Sequence, residues 1–178
     1  VGKIAESYGM QVFLGNLYIG GCNINYHLDN LKNESALYDY RVYTNGYWKT
    51  TQGYKSTDAI KSQSWDYISF QQASPDSGRV STMTNLEALM AGVRAICNQD
   101  AKFIWHMTWA YQADSNHSGF ANYNNSQDQM YEAIIQAVQS VVMPNEQFAL
   151  VAPVGTAIQN ARTSILGDRL TRDGYHLN

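Results

Sequence analysis

Hydrophobic positions along the chain change their spacing several times, and each change marks an element. Residues 1–9 (VGKIAESYG) place Val1, Ile4 and Ala5 on one helical face, with Gly9 set to close the C-terminus. The run QVFLGNLYIGG reads as a buried strand ending in a glycine turn, and the polar residues 23–34 predict a short helix. In YDYRVYTNGYWKTTQ, aromatic and β-branched residues flank Asn45-Gly46, the favoured centre of a two-residue hairpin turn. The hairpin spans about 38–52, and its many tyrosines suit an exposed ribbon inserted at the edge of a core.

Beyond the hairpin the alternation becomes regular. Ser56-Thr57 opens a short helix, and Trp65-Asp66 leads into the strand YISF. Residues 81–98 form an amphipathic helix through Leu86, Leu89, Met90, Val93 and Ile96 or Cys97. The strand KFIWHMT follows, then a second long helix over 126–142 carrying Met130, Ile134, Ala137, Val138 and Val141. The strand FALVAPV, a helix through Ala157 and Ala161, and the loop GDRLTRDGYHLN complete the chain. Strand and helix in alternation predict an α/β fold, a parallel central sheet with helices on both faces. Ligands of such sheets collect on the loops after the strand C-termini. Those loops begin at Gly20, Gln71, Thr108 and Pro153, and the terminal segment joins them.

Composition narrows the function classes. With 178 residues, 44% of them hydrophobic, the chain suits one globular domain. A net charge of −3 and no basic run give no reason to expect nucleic acid. No stretch of about 18 apolar residues offers a membrane span. Cys22 and Cys97 are too few for a disulfide framework; Cys97 falls on an apolar helical pattern and reads as core. No ligand pair with metal-binding spacing is formed by His27, His106, His117 or Cys22, so no metal and no cofactor are expected.

Three loops carry candidate chemistry. Asp173-Gly174-Tyr175-His176 can bring a carboxylate onto the imidazole Nδ1 within one tight turn, the arrangement a histidine base needs. Gly20-Gly21-Cys22 follows a strand and would let backbone N–H groups approach an oxyanion closely. Gln71-Gln72-Ala73-Ser74, read as following a central strand, sets two amides at a strand end. Trp109, Tyr111 and Gln112 suit either a sugar-stacking wall or plain loop anchoring, and His106 either a structural histidine or a pocket lining. Ser74 lacks the strand-to-helix elbow of a nucleophile, since Pro75 follows it, and Ser69 lies within a strand.

Taken together, GNLYIGGCNINYH, DYISFQQAS, WHMTWAYQ and TRDGYHLN resemble the SGNH (GDSL-like) hydrolase superfamily, in an uncharacterised Bacteroidetes-type bacterial branch. The resemblance implies a flavodoxin-like three-layer α/β/α domain over residues 1–178, cut at both ends, with the first strand and last helix missing. It implies a serine esterase acting on a small-molecule or carbohydrate ester, for instance a sugar O-acetyl group, in an extracytoplasmic setting. Asp173 and His176 take the D-x-x-H positions, and Gly21 the glycine position. The superfamily's Gly-x-Asn-Asp block is replaced by Gln71-Gln72-Ala73-Ser74, so the amide role passes to Gln72, with Gln71 second. Cys22, His106, Trp109 and Tyr111 would line the substrate. No Gly-Asp-Ser or Gly-Asn-Ser occurs between Val1 and Asn178, so the nucleophile is expected before Val1. The rival reading is a carbohydrate-binding or scaffold module that keeps the fold without turnover. A flavodoxin-like cofactor binder would need a phosphate-cradling loop that these residues do not offer.

Overall fold

Asn45 and Gly46 both hold positive φ, 50° and 85°, as a type I′ turn requires. They join β2 (Tyr38–Thr44) to β3 (Tyr47–Tyr54). In the computed structural model, which describes residues 1–178, this hairpin pairs from Thr44↔Tyr47 to Tyr38↔Tyr54, with a register shift between Tyr38 and Tyr40. It is more than an exposed ribbon: β3 is exposed almost throughout, but Tyr38, Tyr40 and Tyr43 of β2 are buried.

A third strand, β1 (Leu14–Tyr18), pairs antiparallel with β2. This corrects the reading of that run as a buried strand. Leu14 and Leu17 are only half-buried, and Gly15, Asn16 and Tyr18 are exposed. An antiparallel sheet can satisfy a strand's backbone while leaving a face open to water, which a run of apolar letters does not reveal.

These strands belong to the first of two compact units, residues 1–65 with 87–99. Here α1 (Gly2–Ser7) ends in a Schellman motif, in which Gly9 N–H donates to Glu6 O (2.9 Å) and Met10 N–H to Ala5 O (2.9 Å). The side chain of Asn23 caps α2 (Ile24–Lys32), accepting from Tyr26 N–H at 3.0 Å. α3 is Ser56–Lys61. α4 (Leu86–Arg94) is shorter than its apolar pattern suggests, being preceded by a short 3-10 turn over Val80–Thr82.

The second unit comprises residues 66–86 and 100–178. Its sheet is parallel, in the order β4 (Tyr67–Phe70), β5 (Lys102–His106), β6 (Phe148–Ala152). The strand before Gln71 is therefore an outer strand of this sheet, and β5 is the central one. Edge-to-face packing of Phe70 on Phe103 (ring centroids 5.0 Å) and of Trp105 on Phe148 (5.9 Å) fills its core. α5 (Gln127–Ala137) starts at Ser126, whose hydroxyl accepts from Gln129 N–H at 3.3 Å, and it runs on into a π turn over Val138–Val142. The extra residue in that turn rotates the buried face. Val142 is fully enclosed, where strict α periodicity would bury Val141. α6 (Val154–Arg162) follows β6 directly. The fold is thus mixed α/β, with one parallel and one antiparallel three-stranded sheet. No helix is long and apolar enough to cross a membrane.

Candidate functional site

The segment after α6 holds one isolated bridge, Thr171↔Leu177, and no regular element. Its order comes from side chains. Asp173 Oδ1 accepts from the backbone N–H of His176 (2.7 Å) and of Tyr175 (3.2 Å), and Oδ2 lies 2.6 Å from His176 Nδ1. Gly174 makes the turn possible at φ 90°, where an added Cβ would also press on Ser115 at about 3 Å. Desolvation alone would raise the Asp173 carboxyl. The side-chain and backbone donors of His176 and the Tyr175 N–H outweigh it and hold the group down at about 2. The carboxylate is therefore ionised at neutral pH and accepts from His176 Nδ1–H. Nε2 is left to act, on a side chain half exposed to solvent and without a hydrogen bond from Nε2 to the chain.

The loop after β5 anchors this turn. Trp109 Nε1–H donates to Tyr175 O at 2.8 Å, and Gln112 N–H to Gly174 O at 2.8 Å. Thr171 Oγ1 donates to Gln112 Oε1 (2.8 Å) and accepts from Gly174 N–H (3.1 Å). The Tyr175 ring packs on His176 (centroids 4.3 Å) and is backed by His117 (4.7 Å) and Tyr111 (5.8 Å). Asp173, His176 and Trp109 are thus brought together.

Several other candidates are placed differently. Gln72 is buried; its Nε2 donates to Thr82 O and Oγ1, both at 3.1 Å, and its Oε1 accepts from Ala73 N–H. The amide assigned to an oxyanion is thus spent on shaping its own turn, while Gln71 is exposed. Tyr111 is fully buried, with its hydroxyl 2.9 Å from Ser74 Oγ, so it is a core anchor and not a stacking wall. That contact also occupies Ser74. Burial pushes the Tyr111 phenol up to about 12, against the Ser74 hydrogen bond.

His106 ends β5 half-buried and edge-on to Trp109, and burial lowers its pKa, so it is neutral at pH 7. Gly21, at φ 65°, and Cys22 belong to the first unit. Cys22 is buried there, and desolvation pushes its thiol up to about 11 despite a hydrogen bond with Tyr38. It is a protonated core residue, not an open lining group. His27, in the same unit, is lowered to about 4 by burial and lies 2.9 Å from the Tyr38 hydroxyl. Nowhere do three His, Cys, Asp or Glu side chains gather as metal ligands.

Comparison with known families matches residues 1–178 to the model described as a domain of unknown function, DUF4886. The chain belongs to the DUF4886 family. It is also similar to the crystal structure of a DUF4886 family protein from Bacteroides uniformis. That match has 38% identity and a TM-score of 0.94, covering 99% of this chain and 69% of the other. No curated protein matches the chain.

Gln112, read from the sequence as sugar wall or loop anchor, holds the Asp173 turn together with Thr171. Thr171 was passed over, as were Arg162 and Asp168 just outside the turn. The sequence signal of these three is the run of polar residues in an otherwise structureless tail (RTSILGDRLTRDGYH), which must find partners when ordered.

Proposed function

We propose that this DUF4886 domain supplies the Asp–His half of an SGNH-type serine esterase, within a flavodoxin-like three-layer core built on the β4–β5–β6 sheet. The observation that carries this reading is the Asp173–His176 pair, an ionised carboxylate 2.6 Å from Nδ1 of a half-exposed imidazole. The substrate is a carbohydrate O-acyl ester, and the nucleophile is a serine outside residues 1–178, in line with the superfamily resemblance.

In the first step His176 Nε2 takes the proton of the serine hydroxyl as Oγ bonds to the ester carbonyl carbon. The tetrahedral intermediate collapses, the bond to the alcohol oxygen breaks, and His176 returns its proton to the departing alcohol. Water then attacks the acyl-serine with His176 again taking a proton. The carboxylic acid leaves and the serine regains its hydrogen. Asp173 holds the imidazole in the required tautomer and stabilises the transient imidazolium.

The test is aryl acetate hydrolysis by the full-length protein and two variants. His176→Ala is expected to lower kcat by roughly 10³-fold or more, and Asp173→Asn, which favours the wrong tautomer, by a similar factor. Equal rates for wild type and His176→Ala would overturn the esterase reading and favour a binding or scaffold module.

A further inference from the structure

Asp173 and His176 meet through a turn of four residues, so their pairing needs nothing beyond itself. Where that pair stands on the protein is a separate matter, because residues 163–178 contain no helix or ladder to fix it. We propose that Arg162 and Asp168 are positioning residues for His176, an ion pair between a buried guanidinium and a half-buried carboxylate that clamps the Asp173–His176 turn onto the loop after β5. The proposal rests on the esterase reading above and deepens it by naming what places the base.

Arg162 is the last residue of α6, and its side chain is 3% exposed. Its Nε lies 2.8 Å from Asp168 Oδ1, and Nη2 donates to Ala110 O at 2.8 Å. Asp168 Oδ2 accepts from Ala113 N–H at 2.8 Å, and both its oxygens lie 3.0 Å from Gln127 Nε2 of α5. Gln127 Nε2 also donates to Tyr111 O at 2.9 Å. Four consecutive residues, 110–113, are therefore bonded to the clamp or to the turn. Ala110 meets Arg162, Tyr111 meets Gln127, Gln112 meets Gly174 and Thr171, and Ala113 meets Asp168.

Direction comes from the hydrogen bonds around the pair. Arg162 Nε lies near Asp168 Oδ1 without hydrogen-bond geometry, but Arg162 Nη2 on Ala110 O, and Ala113 N–H and Gln127 Nε2 on Asp168, each fix an angle as well as a distance, which an apolar contact does not. A pair with one enclosed partner adds little net stability, but loss of Asp168 would leave the buried Arg162 guanidinium without its counter-charge. Such a pair is better explained by what it orients than by what it stabilises. Asp168 fixes the chain five residues before Asp173, and the Gln112–Gly174 bond fixes it one residue after. Between these two points the turn has one placement.

The experiment uses the full-length protein with Asp168→Asn, and the double variant Arg162→Met/Asp168→Leu, which removes both charges together. Three signals are followed: steady-state kinetics on an aryl acetate, the Trp109 indole N–H resonance with its exchange rate, and the low-field His176 Nδ1 proton. Asp168→Asn is expected to lower kcat about 10²-fold with KM little changed, as a small misplacement of a base does. The Trp109 indole N–H should lose its protection while the low-field imidazole proton persists, showing a pair intact but displaced. The double variant should melt close to wild type and remain slow, which a purely stabilising pair would not produce. Wild-type kcat with a protected indole in either folded variant would overturn the clamp. Should the wild type itself hydrolyse no ester, the esterase reading fails, and the indole signal alone decides the clamp: protection lost supports it, protection kept overturns it.

Discussion

Asp173 collects three donors from the two residues just beyond Gly174, and this concentration of hydrogen bonds on one carboxylate has a measurable consequence. Its folded pKa of about 2 lies below the ordinary 3.8, so the ionised form favours the ordered turn. That contribution is complete above pH about 4 and disappears as pH falls through about 2. A carboxyl-carbon NMR titration should place the Asp173 midpoint near 2, and a midpoint near 4 would show the turn undone. At Gly174, alanine would meet both an unfavourable positive φ and the Ser115 side chain. Gly174→Ala should cost roughly 1–3 kcal/mol in chemical denaturation and lower esterase turnover as well. The Asp-Gly-Tyr-His turn was legible in the sequence because every partner in it lies within four residues. Gln72, Tyr111 and Cys22 were not, since their roles depend on Thr82, Ser74 and Tyr38, ten or more positions away.

At the scale of elements, local chemistry decided what could be foreseen. Asn45-Gly46 announced a hairpin because few residue pairs accept positive φ twice in succession, and the apolar spacing over 126–142 announced α5. The partner of β1 was hidden, because hydrogen-bonding groups on a strand do not encode which neighbour will take them. The π turn after α5 was equally hidden, because the valines at 138, 141 and 142 fit either phase. One junction carries a prediction of its own. Gly155, in the first turn of α6, sits against the Thr108 carbonyl so closely that a Cβ would collide with it, and its N–H bonds to Met107 O at 3.1 Å. Gly155→Ala should therefore destabilise the second unit by roughly 2–3 kcal/mol, against a gain of under about 1 kcal/mol from helix propensity alone. A melting temperature at or above wild type would show that α6 can slide away from the loop after β5.

Across the whole molecule, the regular alternation of strand and helix beyond residue 65 corresponds to the parallel sheet of the second unit, which ends β5 on His106 and leads into the loops that carry Trp109 and Gln72. The first unit follows another plan, an antiparallel sheet flanked by short helices, and the apolar run at its start gave no warning of it. The Asp–His turn draws its order from the second unit alone, with every bond described for it made within residues 66–86 and 100–178. Esterase chemistry requires that imidazole to activate a serine. Intact-mass spectrometry of the full-length protein after exposure to a fluorophosphonate measures this directly. The predicted result is a single adduct on a serine outside residues 1–178, formed by wild type and absent from His176→Ala. No adduct on the wild type, or one that forms equally without His176, would contradict it.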